Sequence, residues 1–165
     1  MELILVRHGP AEDRDAFART GRPDRDRPLT TGGRRQTRGA AAGLATLLTD
    51  PPRVYTSPFV RASETAEIIA TACGVTVTRS LAALAPGGRR DRVLRSVGES
   101  GTAILVGHEP DMGQLLSWLL AGHPEPFHRF KKAGMVAVSC PEGPGQGGAE
   151  LRWALPPGVL RALAP

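Results

Sequence analysis

An α/β sandwich with a mainly parallel sheet is the fold class this sequence predicts, and three observations predict it. Short aliphatic runs alternate with amphipathic helical segments over most of the 165 residues. Two of those runs, "LILV" (3 to 6) and "AILV" (103 to 106), lack the polar alternation of a half-solvated strand and read as buried on both faces. The chain closes on two strand-like segments separated by the Gly-rich stretch "PEGPGQGG", a C-terminal hairpin. The expected architecture is a three-layer sandwich, the sheet flanked by helices, forming a single domain over 1–165.

The elements follow in order. Leu3 to Val6 is the first strand, and "RHG" at its end leads into a polar Arg/Asp-rich loop over about 10 to 28. A Thr N-cap then opens a small-residue amphipathic helix reaching about Leu48. Arg53 to Thr56 is a strand closed by Ser57-Pro58. The next helix carries Ala62, Ala66, Ile69 and Cys73 on one face and stops at Gly74. "VTVTR" is a strand, and "SLAALAPGGRR" is a loop before a modest helix near Asp91 to Val97. "TAILVGHEPD" is a strand ending in a histidine, and Pro110 fits the first turn of the helix that follows. "MVAVSC" (135 to 140) and "AELRWAL" are the hairpin strands.

Composition narrows the function classes. Hydrophobic residues make up 41%, charged 22% and aromatic 4%, so the core is built from Ala, Leu and Val. The net charge is +5, yet the basic residues are interleaved with acids, as in "EDRDAFARTGRPDRDR", and form no block that supports a nucleic-acid site. Cys73 and Cys140 lack metal-ligand spacing and read as free thiols, Cys73 as a buried one. The first apolar run is too short for a signal peptide or a membrane span, so a cytoplasmic protein without membrane association is expected.

The chemistry lies in a repeated design. Both buried strands deliver a histidine at the carboxyl end, where ligands bind in open α/β sheets: "LILV" ends in Arg7-His8-Gly9 and "AILV" in Gly107-His108-Glu109. Between them "YTSPFVRASETA" is a third strand end leading into a helix with Arg61 in its first turn. Singly, Arg61 reads as a surface residue and His108 as a core histidine. Together, two imidazoles and two guanidiniums suit a phosphoryl group. Guanidinium is a fixed fork of donors, and a neutral imidazole is a nucleophile. Gly9 is expected to let the backbone approach the phosphate.

"VRHGPAE", "RPLTTGG", "SPFVRASETA" and "LVGHEPDM" resemble, in order and spacing, the motifs of the histidine phosphatase (phosphoglycerate mutase-like) superfamily, in particular its short SixA-type branch of phosphohistidine phosphatases. The resemblance implies that His8 is the nucleophile, passing through a phosphohistidine. It implies that Arg7, Arg61 and His108 hold the phosphate, and that neither metal nor other cofactor is needed. His123 and His128 fall outside the motifs and read as surface residues.

One departure bears on the substrate. The mutase-like branch has a glutamate in the loop after the third strand that protonates the leaving oxygen. Residues 80 to 90 here contain no carboxylate, and Ala83 stands where the acid is expected. General-acid help is worth roughly 10²–10⁴ in rate for a poor leaving group, and a phosphoramidate needs it less. The expected substrate is therefore phosphohistidine on a protein, whose acidic surface the Arg-rich loop could contact. The alternatives are a phosphomonoesterase acting on small phosphorylated molecules, with Glu109, Glu12 or Asp91 supplying the proton, and a non-catalytic phosphate-binding module. Of the three carboxylates Glu109, beside His108, is the strongest candidate, although a solvated helix-entry residue is the plainer reading.

Overall fold

In the computed structural model, which describes residues 1–98 and 100–165, a six-stranded sheet has the order β3-β2-β4-β1-β5-β6. The strands are β1 (Glu2–Arg7), β2 (Arg53–Thr56), β3 (Val77–Ser80), β4 (Thr102–Gly107), β5 (Met135–Ser139) and β6 (Glu150–Leu155). The four strands from β3 to β1 are mutually parallel, and β5 and β6 add the antiparallel hairpin. The helices are α1 (Arg14–Ala18), α2 (Thr31–Ala45), α3 (Val60–Ala72), α4 (Arg90–Val97), α5 (Asp111–Ala121) and α6 (Pro157–Ala162).

Strand pleating divides the core into two clusters. Leu3 and Leu5 of β1, with Ala103 and Leu105 of β4, face α4 and α5 through Val93, Val97, Leu115 and Leu119. Ile4 and Val6, with Ile104 and Val106, face α2, α3 and α6 through Ala40, Ala41, Ala66, Ile69 and Leu160. Both central strands are buried on both faces, which is why they carry continuous aliphatic runs. The sheet is thus the middle layer of three.

Three elements depart from the sequence reading. The stretch from 10 to 28 is structured: Asp13 caps α1 by accepting from Ala16 N, Phe17 is buried, and a 3-10 turn follows at Asp24–Asp26. Its alternating Arg and Asp residues pair among themselves (Arg27 with Asp24, for example), so a real fold looks like a solvated loop in sequence. The helix α2 opens at its Thr30 cap, which accepts from Gly33 N, but ends at Ala45. Finally, α6 follows the hairpin and lies across α2, and the small residues of "GAAAGLA" are the floor it needs.

Gly43 shows how close that packing is. A Cβ there would stand 1.8 Å from the Leu160 carbonyl oxygen, which is backbone. Alanine would gain up to about 1 kcal/mol in helix propensity, whereas overpacking a filled interface costs about 1–3 kcal/mol. Gly43→Ala is therefore expected to be destabilising, read as a lower denaturant midpoint with an unchanged slope. An unchanged or raised midpoint would show that α6 moves aside freely.

Candidate active site

Parallel pairing brings the two histidines together. Arg7 is in register with Gly107, and His8 N–H donates to the Gly107 carbonyl. His8 and His108 therefore emerge one residue beyond adjacent strand ends, with ring centroids 5.1 Å apart. On the other side of β4, β2 ends at Thr56, and Ser57 N–H donates to the Val106 carbonyl. The chain then turns into α3, whose first turn carries Arg61. Arg7, His8, Arg61 and His108 all line one cleft of about 510 Å³, together with Glu12, Arg14, Arg27, Pro86, Glu109 and Lys132 among others.

His8 is 7% exposed, and its Nδ1 lies 2.7 Å from the Gly9 carbonyl oxygen. A carbonyl only accepts, so Nδ1 carries the proton and Nε2 carries the lone pair. Burial is the main cause that pulls the His8 imidazole down to about 3, helped by His108, Arg61 and Arg7; the Gly9 hydrogen bond opposes. His108 is pulled down to about 4, again chiefly by burial, then by Arg61, with Asp24 opposing. Both rings are thus neutral at pH 7. Ser57 Oγ lies 2.8 Å from His108 Nε2 and also accepts from Phe59 N–H. With the Ser57 proton turned to Nε2, the proton of a neutral His108 sits on Nδ1.

The guanidiniums are anchored at one end. Arg7 Nη1 donates to the Phe130 carbonyl at 2.7 Å. Arg61, 2% exposed, donates from Nη1 to the Asp24 carbonyl at 2.9 Å and from Nη2 to the Asp24 carboxylate at 3.0 Å. Its Cζ lies 4.9 Å from the centre of the Phe59 ring. Among the described residues, three buried side-chain nitrogens have no partner: Arg7 Nε, Arg61 Nε and His108 Nδ1. All three belong to residues of this cleft. Unpaired buried donors are rare and costly, and a cluster of them around a cationic cleft suits an anion with several acceptor oxygens.

Other expectations change here. A Cβ on Gly9 would meet Thr37 Oγ1 at 2.2 Å, and Gly9 N–H donates to Thr65 Oγ1. The glycine is needed for packing against α2, and its N–H is already engaged by the protein. Asp91 is bound by Arg89 and Arg95, which hold it down to about 2, and it lies in a separate cavity beside Trp118. Glu109 is half-buried in the cleft wall, its Oε1 accepting from Phe130 N–H at 2.6 Å, and is no solvated helix-entry residue. Ala83 packs against the core, and Pro86 is the residue of its loop that lines the cleft. Cys73 is only half-buried.

Sequence reading missed three partners. Asp24 had no signal among its alternating charges, Ser57 was visible only as a strand terminator, and Phe130 acts through its backbone. His123 is exposed, and His128 is half-buried against the Phe130 ring. Among the described residues there is no group of three or more His, Cys, Asp or Glu placed to hold a metal, and no helix is long and apolar enough to cross a membrane.

Known proteins resemble this chain in sequence and fold. Residues 3–84 match the histidine phosphatase superfamily (branch 1). An uncharacterized protein of Picosynechococcus sp. is 35% identical over 143 residues, 84% of each chain. Phosphohistidine phosphatase SixA of Escherichia coli K12 is 28% identical over 167 aligned positions, covering 98% of this chain and 97% of its own. The solved structure of the protein histidine phosphatase SixA complexed with tungstate superposes with a TM-score of 0.78 at 26% identity, covering 97% of this chain and 99% of that one. The chain is a phosphatase and belongs to the histidine phosphatase superfamily.

Proposed function

We propose that this phosphatase hydrolyses phosphohistidine on a protein, with His8 as nucleophile and Arg7, Arg61 and His108 as the phosphoryl-binding set. The observation that carries the reading is the hydrogen bond from His8 Nδ1 to the Gly9 carbonyl, which leaves Nε2 as a lone pair in a cleft walled by donors. In this scheme Nε2 forms a bond to phosphorus as the bond from phosphorus to the departing imidazole nitrogen breaks. The departing nitrogen keeps the electron pair, and because the other ring nitrogen of the substrate phosphohistidine carries a proton, the ring leaves as neutral imidazole. Water then attacks the phosphohistidine at His8, releasing orthophosphate and restoring the imidazole. The fixed cations and the His108 N–H neutralise the charge on the transferring oxygens, the main catalytic demand of phosphoryl transfer. This assigns no role to a metal, and activity is expected to be unchanged by EDTA. Loss in EDTA with recovery on a divalent ion would overturn that part.

The wall opposite supports phosphohistidine over alkyl phosphates. The loop from 80 to 90 presents Pro86 to the cleft and carries no carboxylate, so an alkoxide would leave without that help. The SixA relatives are named for phosphohistidine or protein histidine phosphatase activity, which supports the same assignment. Glu12 and Asp13 are exposed carboxylates that line the same cleft, and they favour small phosphomonoesters.

The test compares kcat/KM for a phosphohistidine-bearing carrier protein, p-nitrophenyl phosphate and alkyl phosphates. Phosphohistidine is expected to exceed alkyl phosphates by at least about 10²-fold, the size of missing general-acid help. p-Nitrophenyl phosphate is expected between them, because the phenolate leaves unaided. Pro86→Glu is expected to raise alkyl-phosphate turnover and leave phosphohistidine hydrolysis near wild type. Equal rates on alkyl phosphate and phosphohistidine, with Glu12→Gln abolishing only the former, would replace this reading with the small-phosphate one.

A further inference from the structure

We infer that Glu109 is a positioning residue for Arg7, acting through the backbone of Phe130 rather than as a proton donor. The inference rests on Arg7 binding the phosphoryl group, as proposed above, and is independent of whether that group arrives on histidine.

Glu109 Oε1 accepts the Phe130 N–H at 2.6 Å, and the Phe130 carbonyl accepts Arg7 Nη1 at 2.7 Å. Phe130 thus carries a charged partner on each of its backbone groups, one an acceptor and one a donor. Its ring is 2% exposed, packed into the core cluster that also holds Leu115 and Leu116 of α5. The ring fixes Phe130 in depth, and the Glu109 contact fixes the height of its backbone beside β1. Charge-assisted hydrogen bonds are short, as both of these are.

Gly113 provides the space for this arrangement. A Cβ there would lie 2.8 Å from the His128 carbonyl oxygen, 3.2 Å from Glu109 Oε2 and 3.2 Å from Pro126 Cβ. The segment from 126 to 130 therefore lies directly on the first turn of α5, with the Glu109 carboxylate between them. Glu109 is also covalently next to His108. One residue thereby ties the strand end that carries a site histidine to the segment that holds a site arginine.

The consequence is geometric. Arg7 has Nη1 committed to Phe130, while its Nε has no partner among the described residues. The direction of the free edge of the fork is set by where the Phe130 carbonyl stands. A misplacement of about 1 Å in such a group can cost about 10²-fold in rate.

The experiment uses the full chain with p-nitrophenyl phosphate as substrate and orthophosphate as competitive inhibitor. Glu109→Gln keeps an acceptor oxygen at the same reach and cannot supply an acid proton; its kcat/KM is expected within about threefold of wild type, because the Phe130 N–H keeps its partner. Glu109→Asp keeps the carboxyl but is one methylene short, and is expected to lose about 10-fold or more, with orthophosphate inhibition weakened in parallel. Glu109→Ala is expected to behave like Asp and to cause no further loss in an Arg7→Ala background. Gln as damaging as Ala, Asp equal to wild type, or full additivity with Arg7→Ala would each overturn the inference. Should Glu109→Ala fail to fold, the contrast between Gln and Asp decides alone. A wild type inert towards p-nitrophenyl phosphate would count against the phosphatase scheme instead, and orthophosphate affinity measured calorimetrically would then compare Gln with Asp.

Discussion

His8→Ala is expected to lower phosphate release by at least about 10³-fold, since the variant loses the proposed nucleophile, and the other imidazole of the cleft, His108, has its Nε2 engaged by Ser57. The fold is expected to survive. His8 sits one residue past the end of β1, and among the described residues its side chain makes a single hydrogen bond, to the neighbouring Gly9 carbonyl. Removing that ring costs about 0.5–1.5 kcal/mol of hydrogen bonding, which a domain of this size tolerates. During turnover the wild type is expected to acquire an acid-labile, base-stable phosphoryl label that maps to His8 and is absent from the variant. Residual activity above a few per cent, or a label at another residue, would assign the nucleophile elsewhere. The lowered imidazoles set the pH behaviour. Folded His8 and His108 stay neutral down to about 3 and about 4, whereas unfolded imidazoles protonate near 6.5. Between those values the unfolded chain holds more protons, so stability is expected to fall as pH falls below about 6.5. Replacing either histidine by Ala is expected to flatten that acid-side decline in a thermal-melting series, and an unaltered decline in both variants would show that other groups control it.

The parts of this site that were legible in sequence are those that sit at strand ends. Two doubly buried strands leave no room for polar residues, so Arg7-His8 and His108 stand out sharply against "LILV" and "AILV". Their meeting in one cleft, however, depends on register, and pairing of Arg7 with Gly107 is a long-range fact that no local pattern encodes. The same limit hid Asp24. Within "GRPDRDRP" each Asp has an Arg next to it, and local pairing accounts for the Asp charges, so nothing singles out the carboxylate that turns to Arg61. Gly9 misled for a related reason: a glycine beside candidate site residues suggests close approach of a ligand, whereas the neighbour that forbids a side chain is Thr37 of α2. The helix α6 was invisible because "PPGVLRA" is too short for periodicity, although the small-residue face of α2 was the imprint of its packing.

Arg61→Lys is expected to cut kcat/KM by about 10²-fold or more although the formal charge is kept. The guanidinium is 2% exposed and divides its donors between two tasks. Nη1 and Nη2 hold the carbonyl and carboxylate of Asp24, and Nε, on another edge of the same plane, has no partner among the described residues. The Phe59 ring, 4.9 Å from Cζ, supports the plane from one face. A lysine ammonium is a single point of donation on a flexible stem: drawn to Asp24 it withdraws from the cleft, and turned to the cleft it leaves Asp24 Oδ2 without its partner, Arg27 holding only Oδ1. Asp24 makes this quantitative. Burial raises its carboxyl, but the Arg27 hydrogen bond and the charges of Arg61 and Arg27 outweigh that and hold it below its ordinary value. Asp24 thus remains an anion bound to Arg61 throughout the working pH range. Asp24→Asn keeps an acceptor oxygen and the backbone carbonyl, and a loss of only about 3- to 10-fold is expected, because the fork stays aimed although one charge is gone. Combined with Arg61→Lys it is expected to add little, since the lysine has already broken the arrangement that Asp24 maintains. An Arg61→Lys enzyme within threefold of wild type would show that positive charge alone suffices at this position. Full additivity of the two changes would show that Asp24 acts on something other than Arg61.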